Sequence, residues 1–227
     1  MIERIPEQLS SDNPDAQNYL NIRAEKDMTV QETNDFIENE FKSSYKDIDE
    51  ILFDQLLSEV YNRSEEEIDI DFKVNDRMKS IVDQIYSDEW KNLSETDKCI
   101  VIDGLIESIA KELGMDSVPT SYLSDLPYGE YGFFSREKNA IVINSQLLNE
   151  PYDLISTVAH ETRHAYQHMR AEKLETREDA LYRINFDNYI EVLTLPDGSC
   201  LFFFDYYSQY VEVDARAFAN SFMEAMR

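Results

Sequence analysis

The chain is poor in the residues that usually punctuate or staple a fold: two cysteines, five glycines, six prolines and three histidines in 227 residues. Cys99 and Cys200 stand too far apart to suggest a disulfide framework or a thiolate zinc knuckle, and both read as buried thiols. There is no Gly/Ser linker, internal repeat or low-complexity tract. Positive charge is scarce too, with 21 Lys and Arg against 47 Asp and Glu, a formal net charge of −26. Such an excess repels phosphates and anionic lipid, because binding either normally takes a basic patch that displaces counterions. Nucleic acid and membrane surfaces are therefore not expected partners. No apolar run reaches the roughly 18 residues of a spanning helix, and the opening MIERIPEQLSSDNPD has no basic stretch followed by an apolar core. A cytoplasmic location is the resulting expectation.

What is present suffices for a core: 42% of residues are apolar and 12% aromatic, which argues against disorder throughout despite 30% charged residues. The length suits one compact domain with a helical extension. The acidic first 95 residues are mostly helical in pattern, with Phe36, Ile37, Phe41, Ile48, Ile51, Leu52, Leu56 and Val60 near helical spacing. In EEEIDIDFKV, Ile68, Ile70, Phe72 and Val74 alternate with polar residues as in a short strand.

SETDKCIVIDGLIESIAKELG then predicts a helix capped by Ser94 or Thr96, lined by Ile100, Val101, Leu105, Ile109 and Leu113, and ended by Gly114. Aromatic and β-branched residues around the turn Arg136 to Asn139 predict a hairpin, Tyr131 to Phe134 against Ala140 to Ile143. Pro151 suits a first helical turn, and the pattern stays helical to about Ala171. YIEVLTLPDGSCLFFF predicts a second hairpin turning at Asp197-Gly198. VEVDARAFANSFMEAM predicts a last helix with Val211, Ala215, Phe218 and Phe222 on one side. The fold class expected is α+β.

Two of the three histidines fall in TVAHETRHAYQ, as His160-Glu161-x-x-His164. On a helical wheel Ile155, Val158, Thr162, Ala165, Tyr166 and Met169 gather on one side, and His160 and His164 project from the other, about 40° apart. An i, i+4 pair rises only about 6 Å, so two imidazoles can converge on one ion. Glu161, next in sequence to a ligand, is placed to take a proton from a water that zinc has made acidic. The plainer alternative is a solvated helix face that carries two histidines. His168 is about 12 Å along the axis from His160, too far to share the ion, and reads as a surface or cleft histidine. A metzincin would need glycine where Gln167 stands.

HETRHAYQ followed at a distance by YVEVDARAFA resembles the gluzincin arrangement, in which a later helix supplies a glutamate to a His-His-Glu site. The phrasing is most similar to the ImmA/IrrE-like metallopeptidases and to zincin domains of phage and bacterial toxin proteins. Their sheet, whose edge strand lies along the substrate cleft, is matched by YGFFSREKNAIVIN. The likeness covers roughly residues 93 to 227 and implies a zincin-like metallopeptidase domain there, after a helical docking or regulatory region over 1–92, or one that wraps the domain as a single unit. It implies Glu212 as third zinc ligand, with Asp214 as second choice or as a partner that orients a histidine. It also implies a tyrosine donor for the oxyanion, with Tyr210 and Tyr206 ranked above Tyr207. The expected activity is hydrolysis of a protein or peptide substrate. Its rivals are a zinc-stapled interaction module and a metal-free interaction protein.

Overall fold

The computed structural model describes residues 60, 64–127, 129–194 and 200–227. The helix expected over Phe36 to Val60, save Val60 itself, and the turn at Asp197-Gly198 lie outside the described residues. In chain order the elements are α1 (Asp76–Tyr86), α2 (Glu95–Glu112), β1 (Thr120–Ser124), β2 (Gly132–Ser135), β3 (Ala140–Asn144), α3 (Pro151–Lys173), α4 (Arg177–Asp187), β4 (Leu193–Thr194), β5 (Cys200–Leu201), α5 (Phe203–Ser208) and α6 (Tyr210–Ala225). The fold class is α+β.

Local chemistry accounts for the helix ends. The side chains of Asn75, Ser94 and Thr176 accept from the N–H groups of Met78, Asp97 and Asp179, capping α1, α2 and α4. At the other end of α2, Gly114 takes the left-handed conformation with φ 68°, and Met115 N–H reaches Ala110 C=O at 2.9 Å. This closes a Schellman turn where the sequence placed a stop. The stripe along α2 differs from the expected one. Ile100 is 64% exposed, and the buried arc is Ile102, Leu105, Ile106 and Ile109. Apolar residues cover a wide arc of this helix, so packing against α1, β1 and α3 decided which part was buried.

The first hairpin forms close to expectation: β2 runs antiparallel to β3, pairing Phe134 with Ile141 and Phe133 with Val142. β1 was not foreseen; it runs parallel to β3, which makes a mixed sheet of order β1-β3-β2 with β3 buried at its centre. β4 and β5 pair as the short second hairpin. No strand forms over Ile68 to Val74. The segment has no regular structure and packs on α6 instead of joining a ladder, with the Phe72 ring edge-on to Phe218 at 4.8 Å. A period of two reports an extended chain with one face covered, and a helix can supply that cover as well as a sheet can. The preceding turn is tied to α6 as well, through Arg216 Nε to Glu65 Oε1 at 2.7 Å and Asn220 Nδ2 to Glu65 Oε2 at 3.1 Å.

Two apolar clusters result. The larger joins Met78, Val82, Ile85 and Trp90 to α2, Ile141 and Ile143 of β3, the first half of α3 and Phe218 and Phe222 of α6. Buried Trp90 donates its indole N–H to Leu148 C=O at 2.8 Å. This core runs across residue 92 without interruption. The smaller cluster joins Val60, Ala171, Leu181, Tyr182, Ile184, Tyr210 and Val211. Helix α3 thus threads from one cluster to the other. Among the described residues, no helix is long and apolar enough to cross a membrane.

β2 approaches β3 and α3 so closely that a Cβ on Gly132 would meet Val142 O at 2.6 Å and Thr157 Cγ2 at 3.0 Å. Because the first of these is backbone, Gly132→Ala is expected to lower stability by about 1–3 kcal/mol. A urea midpoint equal to that of the wild type would contradict this packing.

Candidate metal centre

α3 carries most of the site. It starts at Pro151, whose missing N–H costs nothing in the first turn, and it ends where Leu174 turns left-handed with φ 51°. Ile155, Val158 and Thr162 are fully buried on one face, and Thr162 Oγ1 donates to Val158 C=O at 2.6 Å. As the wheel predicted, the histidines leave from another face. That face is not solvated, however, because α6 lies across it: Glu161, Arg163, His164 and Gln167 are all buried.

His160, His164 and Glu212 come together there. The two imidazole Nε2 atoms are 3.0 Å apart, Glu212 Oε2 is 3.4 Å from His160 Nε2, and Glu212 Oε1 is 3.3 Å from His164 Nε2. Ligands at about 2.0–2.1 Å from a tetrahedral ion are separated by about 3.3–3.4 Å. The two carboxylate distances match that spacing and the imidazole pair stands a few tenths of an ångström closer, and the group could hold a metal ion. Glu212 is 1% exposed, so its carboxylate is held by these partners rather than by water. Burial works to lower the His164 pKa, but the Glu212 carboxylate, then Glu161 and Gln167, outweigh it and bring it up to about 9. Burial would likewise raise Glu212, and the two histidines hold it well below the usual carboxylate range. Metal binding would oppose protonation of His164, because a ligating imidazole must give up the proton at the ligating nitrogen.

The orientation of His164 follows from a chain of buried hydrogen bonds. The Gln167 amide donates to Val211 C=O at 2.9 Å and to Asp214 Oδ2 at 2.6 Å, so its oxygen must face the other way. That oxygen lies 2.8 Å from His164 Nδ1, which therefore carries a proton and donates it. In the neutral ring this leaves the Nε2 lone pair for an ion. Asp214 is in turn pinned by Arg163, through Nε at 2.7 Å and Nη2 at 2.8 Å, and by the Tyr182 hydroxyl at 3.2 Å. Burial would lower the Arg163 pKa, yet Asp214 raises it and the guanidinium stays charged. Asp214, the second choice as ligand, thus acts one bond further out, on Gln167.

The tyrosines divide. Tyr210 is fully buried in the smaller cluster and donates to Glu178 Oε1 at 2.6 Å. Tyr207 lies under the Arg216 guanidinium at 3.5 Å, on the outer side of α5. Tyr206 does face the site: burial first, then the Glu212 and Glu161 carboxylates, push its phenol pKa upward, so it remains a donor. Tyr189, which sequence reasoning passed over, donates to Glu212 Oε1 at 2.5 Å. Gln167 was legible in principle, being three residues after His164 on one helix face, but no periodicity marks Tyr189. His168 is partly buried rather than free on the surface. It stacks on Phe186 at 3.7 Å with Phe134 nearby, and burial, then His164 and Arg136, lower its pKa to about 3.

Comparisons with protein-family models, with curated proteins and with solved structures gave no match.

The geometry separates the roles of the two acidic residues on α6. Replacing His160 and His164 with Ala is expected to abolish stoichiometric metal uptake, and Glu212→Ala to weaken it far more than Asp214→Ala. Asp214→Ala should instead cost about 3–5 kcal/mol of stability, because it strands the buried Arg163 charge. Zinc titration and urea unfolding of the variants check both halves, and a reversed order in the titration would make Asp214 the ligand. His168 supplies a pH test. Its folded pKa lies below the unfolded value, so the unfolded chain binds the extra proton and stability falls as pH drops below about 6.5. The wild type is expected to lose up to about 1.4 kcal/mol per pH unit relative to His168→Phe between pH 6.5 and 5. Parallel stability curves would remove the buried neutral imidazole.

Proposed function

We propose that this chain is a zinc-dependent metallopeptidase of zincin-like fold that hydrolyses a protein or peptide substrate. The observation that carries the reading is the convergence of His160 Nε2, His164 Nε2 and a Glu212 carboxylate oxygen beside the buried Glu161 of the same helix turn. Two imidazoles and one carboxylate are a donor set that suits zinc, and a catalytic zinc keeps three protein ligands and one open position. Among the described residues this group has three members, whereas a zinc that only staples a fold is closed by four. That difference favours an enzyme over an interaction module.

When bound, zinc supplies a Lewis acid that polarises a carbonyl and makes water acidic enough for a carboxylate to deprotonate. Glu161 is the base in this reading. Its carboxylate is close enough to bear electrostatically on both His164 and Tyr206, and it can take the water's proton and pass it to the leaving amine. Tyr206 donates its hydroxyl toward the oxygen on which negative charge develops. Tyr210 is engaged with Glu178, so this reading gives the donor role to Tyr206. Gln167 and Asp214 hold His164 in the tautomer that ligation needs.

The test rests on Glu161, which the chemistry needs and the ion does not. Glu161→Gln is expected to keep the fold and the zinc while losing about 10²–10⁴ in hydrolysis rate. Unstructured peptide mixtures read by mass spectrometry suit an unknown substrate, with wild type, variant and chelated protein run in parallel. Equal cleavage by the variant would refute the mechanism, and a metal-loaded wild type that cleaves nothing would favour the zinc-binding module.

A further inference from the structure

Tyr189 lies in the link between α4 and β4, outside any regular element, yet it is among the best-held side chains near the site. Its hydroxyl donates to Glu212 Oε1 at 2.5 Å. Its ring stands edge-on to Tyr206 at 6.0 Å and tilts against Phe186 at 6.4 Å. The adjoining main chain is fastened by fully buried Gln209, whose Oε1 accepts from Ile190 N–H at 2.7 Å and whose Nε2 donates to Ile190 C=O at 2.8 Å. Gln209 is also the residue that opens α6, three positions before Glu212. The phenol and the carboxylate it touches are thus located from one fixed point.

A carboxylate offers two oxygens and can give both to one ion. We infer that Tyr189 is a positioning residue of the metal centre: by engaging Glu212 Oε1, the oxygen 3.3 Å from His164 Nε2, it fixes the rotation of the carboxylate that sets Oε1 against His164 and Oε2 against His160. The inference rests on the zinc reading above. With the phenol removed, the carboxylate is free to rotate, which takes its oxygens off the spacing they hold to the two histidines.

Tyr189→Phe tests this, since it deletes one hydroxyl and keeps the ring in its packing. Zinc affinity, measured against a chromophoric chelator, is expected to fall about 10–100-fold. Cobalt loaded in place of zinc should show a changed visible spectrum as the carboxylate loses its fixed orientation. Tyr122→Phe, which deletes a phenol 57% exposed on the sheet, should change neither readout. Melting of the chelated proteins should coincide for wild type and Tyr189→Phe, while the zinc-loaded variant melts lower. A variant with unchanged affinity and an unchanged cobalt spectrum overturns the inference alone. So does an equal loss of melting temperature with and without metal, which would make the hydroxyl a fold contact only. A wild type that takes up no metal removes the zinc reading and this inference together.

Discussion

The structure turns on the buried carboxylate of Asp214. It is fully shielded from solvent and accepts from Arg163 and Gln167 of α3 and from Tyr182 of α4, so three helices meet at one side chain. Burying such a charge is costly unless it is paired and its lone pairs are met, and here a bidentate guanidinium, an amide and a phenol meet them. The same contacts settle matters a few ångströms away. With Gln167 held by Asp214, the tautomer of His164 is decided, and with it the side of the ring that faces Glu212. Packing of the three helices and readiness of the site are therefore one arrangement.

That arrangement explains why α3 is buried almost all round. Its apolar face lies in the larger cluster, as any amphipathic helix would lie, while its polar face is covered by α6 and the start of α4. A buried polar face needs partners, and the two helices supply them to Arg163, Gln167 and Arg170. The site draws its other wall from the segment between α4 and α6, where Tyr189, Tyr206 and Gln209 are interlocked. Of the buried acidic groups among the described residues, Asp179, Glu212 and Asp214 each face a cation or histidine, and Glu161 is the fourth.

Local sequence signals located much of the fold. Ser94 and Gly114 marked both ends of α2, Pro151 marked the start of α3, and the aromatic runs around Arg136 to Asn139 located the β2–β3 hairpin. Each is a matter of neighbours within a few residues, where caps, turns and periodicity act. The misreadings share a cause. Ile100 belongs to an apolar arc wider than any one face, and Ile68 to Val74 has the alternation of a strand without a strand beside it. In both cases a distant element chose among options that local pattern left equal.

The sequence by itself determined that His160 and His164 share a helix face, because four residues make about one turn of an α-helix whatever surrounds it. It also placed Glu161 beside them and confined the acidic candidates to the start of the last helix. Only the tertiary structure decided that Glu212 meets the histidines while Asp214 anchors Arg163 and Gln167, that Tyr206 faces the site while Tyr210 turns to Glu178, and that Tyr189 reaches the carboxylate at all. Those choices depend on how α6 and the segment before it are rotated and seated against α3. That seating is set by the burial of Phe218, Val211 and the Arg163–Asp214 pair, none of which leaves a local trace in the order of residues.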